Sequence, residues 1–335
     1  MSDPADRLRD IANGFQHAKI LLAGAQLRVF DHVRGVGRTA RALASWLHLD
    51  PRGTEILLDA LTAIGALRKL GDVYVNVPEL EPLLVEDGAT HTVASLRHSN
   101  RLFRHWAFLE ERLLDQPFPA PIDPPGAEMA DDEHESFIRA MYAVSHRAVP
   151  AVVDCVPLDG VRTVADLGGG PGHYLAEFLR RSPTLDGYLV DFPATLEIAR
   201  RVQRDNPDWP RAHLVAWNLY ADEAPAGLPA LDVALLSQVV HSASPDENRA
   251  LFRRLFARVS PGGCLVVHER VVDPDRTTPV EAAVFAVNML VMTREGRAYT
   301  EAEIVGWGRE AGFDASDSVR LSGRSHVITL RRPRT

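Results

Sequence analysis

From residue 161 onward the chain alternates short apolar runs with segments of helical period, and this alternation constrains its fold more than any other feature. VRTVADL (161–167), DGYLVDF (186–192), AHLVAWNL (212–219), LDVALLSQVV (231–240), GGCLVVHER (262–270) and HVITLRR (326–332) read as strands. Between them, HYLAEFLRRSP (173–183), ATLEIARRVQRD (194–205), PDENRALFRRLFARV (245–259), TPVEAAVFAVNMLVMT (278–293) and TEAEIVGWGREAGF (300–313) read as helices. Strands that are apolar throughout must be covered on both sides. The pattern therefore predicts a doubly wound α/β sheet with helices on both faces.

The preceding part is different. Residues 5–110 read as mainly helical: AKILLAGAQLRVFDHV (18–33), TARALASWLHL (39–49) and PRGTEILLDALTAIGALRKL (51–70) are followed by the alternating strand GDVYVNVP (71–78). Helix, helix and wing-like strand suggest a winged helix, and hence DNA. A DNA reader needs a basic face. Here Glu55 and Asp59 interrupt the candidate helix, acids and bases nearly balance over residues 1–100, and the whole chain carries −8. Packing or dimerisation is the expected use, with no nucleic acid as partner. DQPFPAPIDPPGAEMADDEHE (115–135) reads as a loop, and its acids Asp131, Asp132 and Glu133 as solvated surface, so no metal is expected. FIRAMYAVSHRAVPAVVDCV (137–156) returns to helical period. The expected division is a dimerisation domain over 1–110, a linker and helix over 111–157, and a catalytic domain over 158–335. The charged start MSDPADRLRD, the lack of an apolar run of about 18 residues and two cysteines, Cys155 and Cys264, predict a cytoplasmic protein with no membrane partner.

Strand, DLGGGPG and helix meet at 166–172. Glycines without Cβ atoms let a ligand lie against the backbone, and the helix start offers N–H groups to an anion. A phosphate-binding P-loop requires Gly-Lys-Ser/Thr, whereas this turn runs Gly172-His173-Tyr174. The dinucleotide pattern fails because position 173 is His. Gly168 and Gly170 after Asp166, with Asp191 at the end of the next strand, suit an adenosyl ligand whose ribose diol meets the acid. A bare tight turn is the plain alternative.

Taken together, ADLGGGPGHYL, the acid in LVDFPATLEIAR, VVHSASPDEN (239–248), HERVVDP and GRAYTEAEIVGWGREAGF resemble the two-domain S-adenosylmethionine-dependent small-molecule O-methyltransferases of the plant caffeate and flavonoid type, with their bacterial natural-product relatives. The likeness covers nearly the whole chain. It implies a Rossmann-like catalytic domain behind a winged-helix-like domain that forms a homodimer, and a role in secondary metabolism. It implies that Gly168, Gly170 and Asp191 hold S-adenosylmethionine, which leaves as S-adenosylhomocysteine. Asn218 and Leu219 would flank the adenine, Ser237 the nucleoside and Ser145 the carboxylate. Met141, Met289, Met292 and Thr293 fall on acceptor-pocket positions. Trp106 is either a wall of that pocket or ordinary packing.

Methyl transfer from a sulfonium mainly requires positioning. A phenol is mostly protonated at neutral pH, so a base helps. His241 follows the strand LLSQVV on the rim where ligands bind in open α/β sheets. Glu269 ends the neighbouring strand, falls on a family glutamate and can orient the imidazole. Strand alternation sends His268 to the other face. The family's second supporting glutamate is Ala298 here, and the residues after the histidine are Ser242 and Ala243. The expected activity is methyl transfer to a hydroxyl of a small, aromatic metabolite. The alternatives are N, S or C methylation, or another use of S-adenosylmethionine: hydroxylation, decarboxylation or rearrangement.

Overall fold

The structure, a computed structural model, describes residues 3–86, 92–114, 131–221, 223–321 and 325–334, without the side chains of 131–133, 315 and 316. Most of the expected loop 115–135 and the acidic run's side chains lie outside these residues. The chain forms two compact units, Met1–Arg104 with Arg139–Val144 and His105–Ile138 with Ser145–Thr335.

In the first unit α1 (Pro4–Gln26) starts on Asp3, whose carboxylate accepts the Ala5 N–H, with Pro4 in the first turn. The helix expected over 18–33 breaks at Arg28, which adopts φ 56°, and resumes as α2 (Val29–His32). Then come β1 (Arg38–Thr39), α3 (Ala40–Leu47), α4 (Pro51–Ala63), β2 (Leu67–Leu70), β3 (Val73–Asn76), α5 (Glu81–Leu84) and α6 (Thr92–Trp106). The helix expected over 51–70 ends at Ala63. Gly65, at φ 80°, turns the chain, and LRKL becomes the first strand of an antiparallel hairpin around Gly71. Helical periodicity misleads here because Leu58, Leu61 and Leu67 all reach the same core, with Ala25, Phe30, Leu43 and Tyr74. At the hairpin, Lys69 is 2.6 Å from Asp59 and lies over the Tyr74 ring.

Beyond α6 come α7 (Leu109–Leu113), α8 (Asp131–Ser145) and α9 (Val149–Asp154). The second unit's sheet contains β4 (Thr163–Leu167), β5 (Asp186–Asp191), β6 (Ala212–Ala216), β7 (Leu231–Ser237), β8 (Val259–Glu269), β9 (Ala315–Leu321) and β10 (Ser325–Arg331) in the order β6-β5-β4-β7-β8-β10-β9. The five strands from β6 to β8 pair in parallel, and β10 and β9 are antiparallel. The helices are α10 (His173–Arg181), α11 (Pro193–Val202), α12 (Pro245–Arg258), α13 (Val280–Met292) and α14 (Glu301–Ala311).

Successive strand residues feed opposite cores. Ala234, Leu236, Leu265 and Val267 pack with Leu251, Phe252, Ile304 and Trp307 of α12 and α14. Val233, Leu235, Cys264 and Val266 pack with Leu175, Phe178, Leu179 and Leu196 of α10 and α11. Each fully buried Leu or Val contributes roughly 1.5–3 kcal/mol, so burial on both faces fixes the register. The direction of winding reverses between β4 and β7, which creates the crevice at their C-terminal ends. Several strands are shorter than expected: β4 starts only at Thr163, β5 ends at Asp191, β6 at Ala216 and β7 at Ser237.

Candidate active site

The glycine turn lies between β4 and α10. Gly168, Gly170 and Gly172 have φ of 68°, 55° and 75°, which disfavours side-chain-bearing residues. Their surroundings differ. A Cβ on Gly169 would come within 2.5 Å of Asp166, and one on Gly172 within 2.4 Å of Trp209. One on Gly168 would touch Val239 and approach Leu219, whereas one on Gly170 would meet nothing within 4 Å. Packing therefore explains three of these glycines, and Gly170 faces open space.

At the end of β5, Asp191 faces this turn. Its Oδ2 accepts the Gly170 N–H at 2.9 Å, and its Oδ1 accepts the Phe192 N–H at 2.7 Å. Burial pushes the carboxyl up, with the two amides opposing. Each oxygen keeps acceptor capacity for a hydroxyl. Asp166 beneath it is fully buried, and burial together with the Asp191 charge raises it to about 7. Asn218 lies in the turn after β6, where its Oδ1 accepts the Tyr220 N–H, and Leu219 is buried beside Gly168. Ser145 Oγ is 2.7 Å from Nε2 of His173, the first residue of α10, and burial lowers that imidazole to about 3.

The Ser237 hydroxyl is 2.8 Å from His268 Nδ1, on the α10 side of the sheet. Tyr174 and Ser325 also bond this buried imidazole, and burial lowers it to about 4.

His241 lies beyond β7 in a one-turn 3₁₀ segment, Val240–Ser242. Gln238, at φ 57°, swings the chain off the strand, and its N–H donates to His268 O. Glu269 ends β8, fully buried, with its two oxygens 2.9 and 3.0 Å from His241 Nδ1. Burial pushes the glutamate up, but the His241 charge, the His241 hydrogen bond and the Arg270 N–H prevail and hold it below the usual carboxylate range. An ionised carboxylate only accepts, so Nδ1 is the nitrogen that presents a proton to Glu269. Phe285 meets the ring edge-on, with centroids 4.9 Å apart. Gly296 permits a close approach: a Cβ there would lie 2.4 Å from His241 O. Ala298 packs against Val272, Ala282 and Ala286.

Met289 and Met292 are buried on α13, four and seven residues beyond Phe285 and so on its face of the helix. Thr293 Oγ1 donates to Met289 O and accepts the Gly296 N–H. Trp106 Nε1 donates to Asn288 Oδ1 at 2.9 Å, which attaches it to α13. Met141 lies on α8 among residues that group with the first unit. Sequence reasoning missed Phe285, Gln238 and the polar contacts of Asn248. Only Asn248 left a trace, as the last residue of the VVHSASPDEN stretch.

Fold and site define a class: a doubly wound α/β enzyme with a glycine turn, an acid and a histidine–carboxylate pair at its strand ends. The O-methyltransferase domain family matches residues 126–314, and the O-methyltransferase dimerisation domain matches residues 9–79. The chain is 30% identical over 323 residues to the 3-hydroxy-5-methyl-1-naphthoate 3-O-methyltransferase of Streptomyces sahachiroi, covering 94% of this chain and 91% of that one. It is 28% identical to mouse acetylserotonin O-methyltransferase, covering 97% of this chain and 88% of the other. Among solved structures, an O-methyltransferase family protein from Burkholderia thailandensis superposes with a TM-score of 0.86 at 28% identity, over 99% of both chains. The chain belongs to the O-methyltransferase family and is an S-adenosylmethionine-dependent O-methyltransferase.

Proposed function

We propose that the chain methylates a hydroxyl of a small aromatic metabolite, with His241 as general base and Glu269 as its orienter. The observation that carries this reading is the His241–Glu269 pair at the strand ends that also bear the glycine turn and Asp191. S-adenosylmethionine supplies a methyl already activated on sulfonium. Gly170 leaves the turn open for it, Asp191 offers carboxylate oxygens to its ribose, and Asn218 and Leu219 lie near the adenine end. Ser145, at the end of α8 and bonded to the first residue of α10, would hold the cofactor's carboxylate. His241 Nε2 takes the acceptor's proton while Glu269 stabilises the resulting imidazolium. Phe285, Met289, Met292 and Thr293 form an apolar wall suited to a flat ring. The naphthoate and acetylserotonin relatives act on aromatic hydroxyls, which favours that acceptor class.

The first unit is proposed as the homodimer contact, in keeping with the dimerisation domain it matches. On α1, Leu8, Ile11 and Phe15 form an exposed apolar stripe. Free thiols at Cys155 and Cys264 fit a reducing cytoplasm. Among the described residues no helix is long and apolar enough to cross a membrane, and no acid, His or Cys cluster could hold a metal.

The test is incubation with S-adenosylmethionine and a panel of hydroxylated aromatics that includes 3-hydroxy-1-naphthoate, followed by mass spectrometry for one added methyl. Full turnover by His241→Ala would remove the base assignment.

A further inference from the structure

We propose that Asn248 is a positioning residue that, with Tyr299, holds the turn carrying His241 in the one arrangement that keeps its Nδ1 on Glu269. A 3₁₀ segment of three residues is weak by itself, and here it follows a non-glycine residue in the left-handed region. One local pair of bonds helps hold it, and the carbonyls of Val239, Val240, His241 and Ala243 each accept a hydrogen bond. Val239 O accepts the Ser242 N–H and hydroxyl. Val240 O accepts Asn248 Nδ2 at 2.9 Å, and His241 O accepts the Arg297 N–H at 2.9 Å. Ala243 O accepts both Asn248 Nδ2 at 3.3 Å and the Tyr299 hydroxyl.

Asn248 is the hub of this set. It lies in the first turn of α12, fully buried, and reaches carbonyls on both sides of His241. Its Oδ1 accepts the Tyr220 hydroxyl at 3.0 Å. Two carbonyl neighbours require the amide nitrogen on that side, and the tyrosine hydroxyl suits the oxygen, so the amide has one orientation. Tyr299 is equally buried and is set edge-on against Trp307 with centroids 4.7 Å apart, a rigid mount for its hydroxyl. A leucine of similar size would fill the Asn248 site and hold neither carbonyl. An aspartate would present oxygens to oxygens. Neither Asn248 nor Tyr299 bonds the imidazole, so both act through the backbone.

The role in turnover rests on the base reading of His241, but the test does not need an acceptor. Protein labelled with ¹⁵N-histidine and bound to S-adenosylhomocysteine is examined by long-range ¹H–¹⁵N NMR, with His241 identified by its loss in His241→Asn. The wild type should show the Nδ1–H tautomer. In Asn248→Asp and Tyr299→Phe the Nε2–H share should rise about tenfold as the turn relaxes away from Glu269. Melting and S-adenosylhomocysteine affinity show that each variant is folded. If Asn248→Asp does not fold, Tyr299→Phe, which removes a single oxygen, decides. Folded variants that keep the wild-type tautomer, or a wild type already in the Nε2–H form, overturn the proposal. Failure of the base reading appears separately, as turnover by His241→Ala.

Discussion

Glu269 grips His241 Nδ1 with both carboxylate oxygens, 2.9 and 3.0 Å away, while the Arg270 N–H donates to one of them. The carboxylate is fully buried, so its ionisation depends on these partners. Glu269→Gln should lower kcat about 10²- to 10³-fold, the usual range for a mispositioned base. Because the two residues act as a unit, the double variant Glu269→Gln/His241→Ala should be no slower than His241→Ala alone. Steady-state kinetics on an accepted hydroxyaromatic check this; multiplying effects would show that Glu269 acts elsewhere.

The glycine turn predicts an ordered series. Gly170→Ala meets no atom within 4 Å and should cost only about 1–2 kcal/mol of backbone strain, while weakening S-adenosylmethionine binding. Gly169→Ala and Gly172→Ala collide with Asp166 and Trp209 and should lower Tm much further. Thermal melts beside calorimetric titration of the cofactor separate the two effects. Equal losses of Tm at all three sites would show that Gly170 too is held by packing.

Asp166 couples the site to pH. Its unfolded pKa is about 3.9, and its folded value is raised to about 7, first by burial and then by Asp191. A raised carboxyl favours the folded state while protonated, so its contribution is present below about pH 4 and is lost as pH rises towards 7. The difference is on the order of a few kcal/mol. Asp166→Asn should therefore melt higher than the wild type at pH 8 without ligand, with little difference at pH 4. Parallel Tm–pH curves for the two proteins would contradict this.

Trp106 is joined to α13 through Asn288, one turn from Phe285. If it walls the acceptor pocket, Trp106→Phe should raise the acceptor KM several-fold, leave the S-adenosylmethionine KM unchanged and cost about 1 kcal/mol for the lost hydrogen bond. A fall in Tm with both KM values unchanged would make it packing only.

The sheet was legible because strands buried on both faces are apolar throughout, and the turn because glycines and acids stand at fixed intervals along one chain segment. Leu67–Leu70 was misread because leucine spacing serves a helix and a hairpin facing the same core equally well. The bond between the Ser237 hydroxyl and His268 was not legible, because correspondence with a lysine position does not show which side of β7 a shorter side chain serves.

The sequence by itself determined the alternation, the glycine turn, the acid after β5 and the presence of a histidine and a glutamate at the ends of two apolar runs. All of these are local patterns, set by side-chain period and backbone freedom. Only the tertiary structure decided that the histidine leaves its strand through Gln238, that Glu269 receives its Nδ1, and that Asn248, Tyr299 and Arg297 clasp the turn between them. Those contacts join residues as many as 56 positions apart. They form only once burial on both faces of the sheet has fixed its register, because nothing in the spacing of polar residues along a chain says which buried carbonyl each will meet.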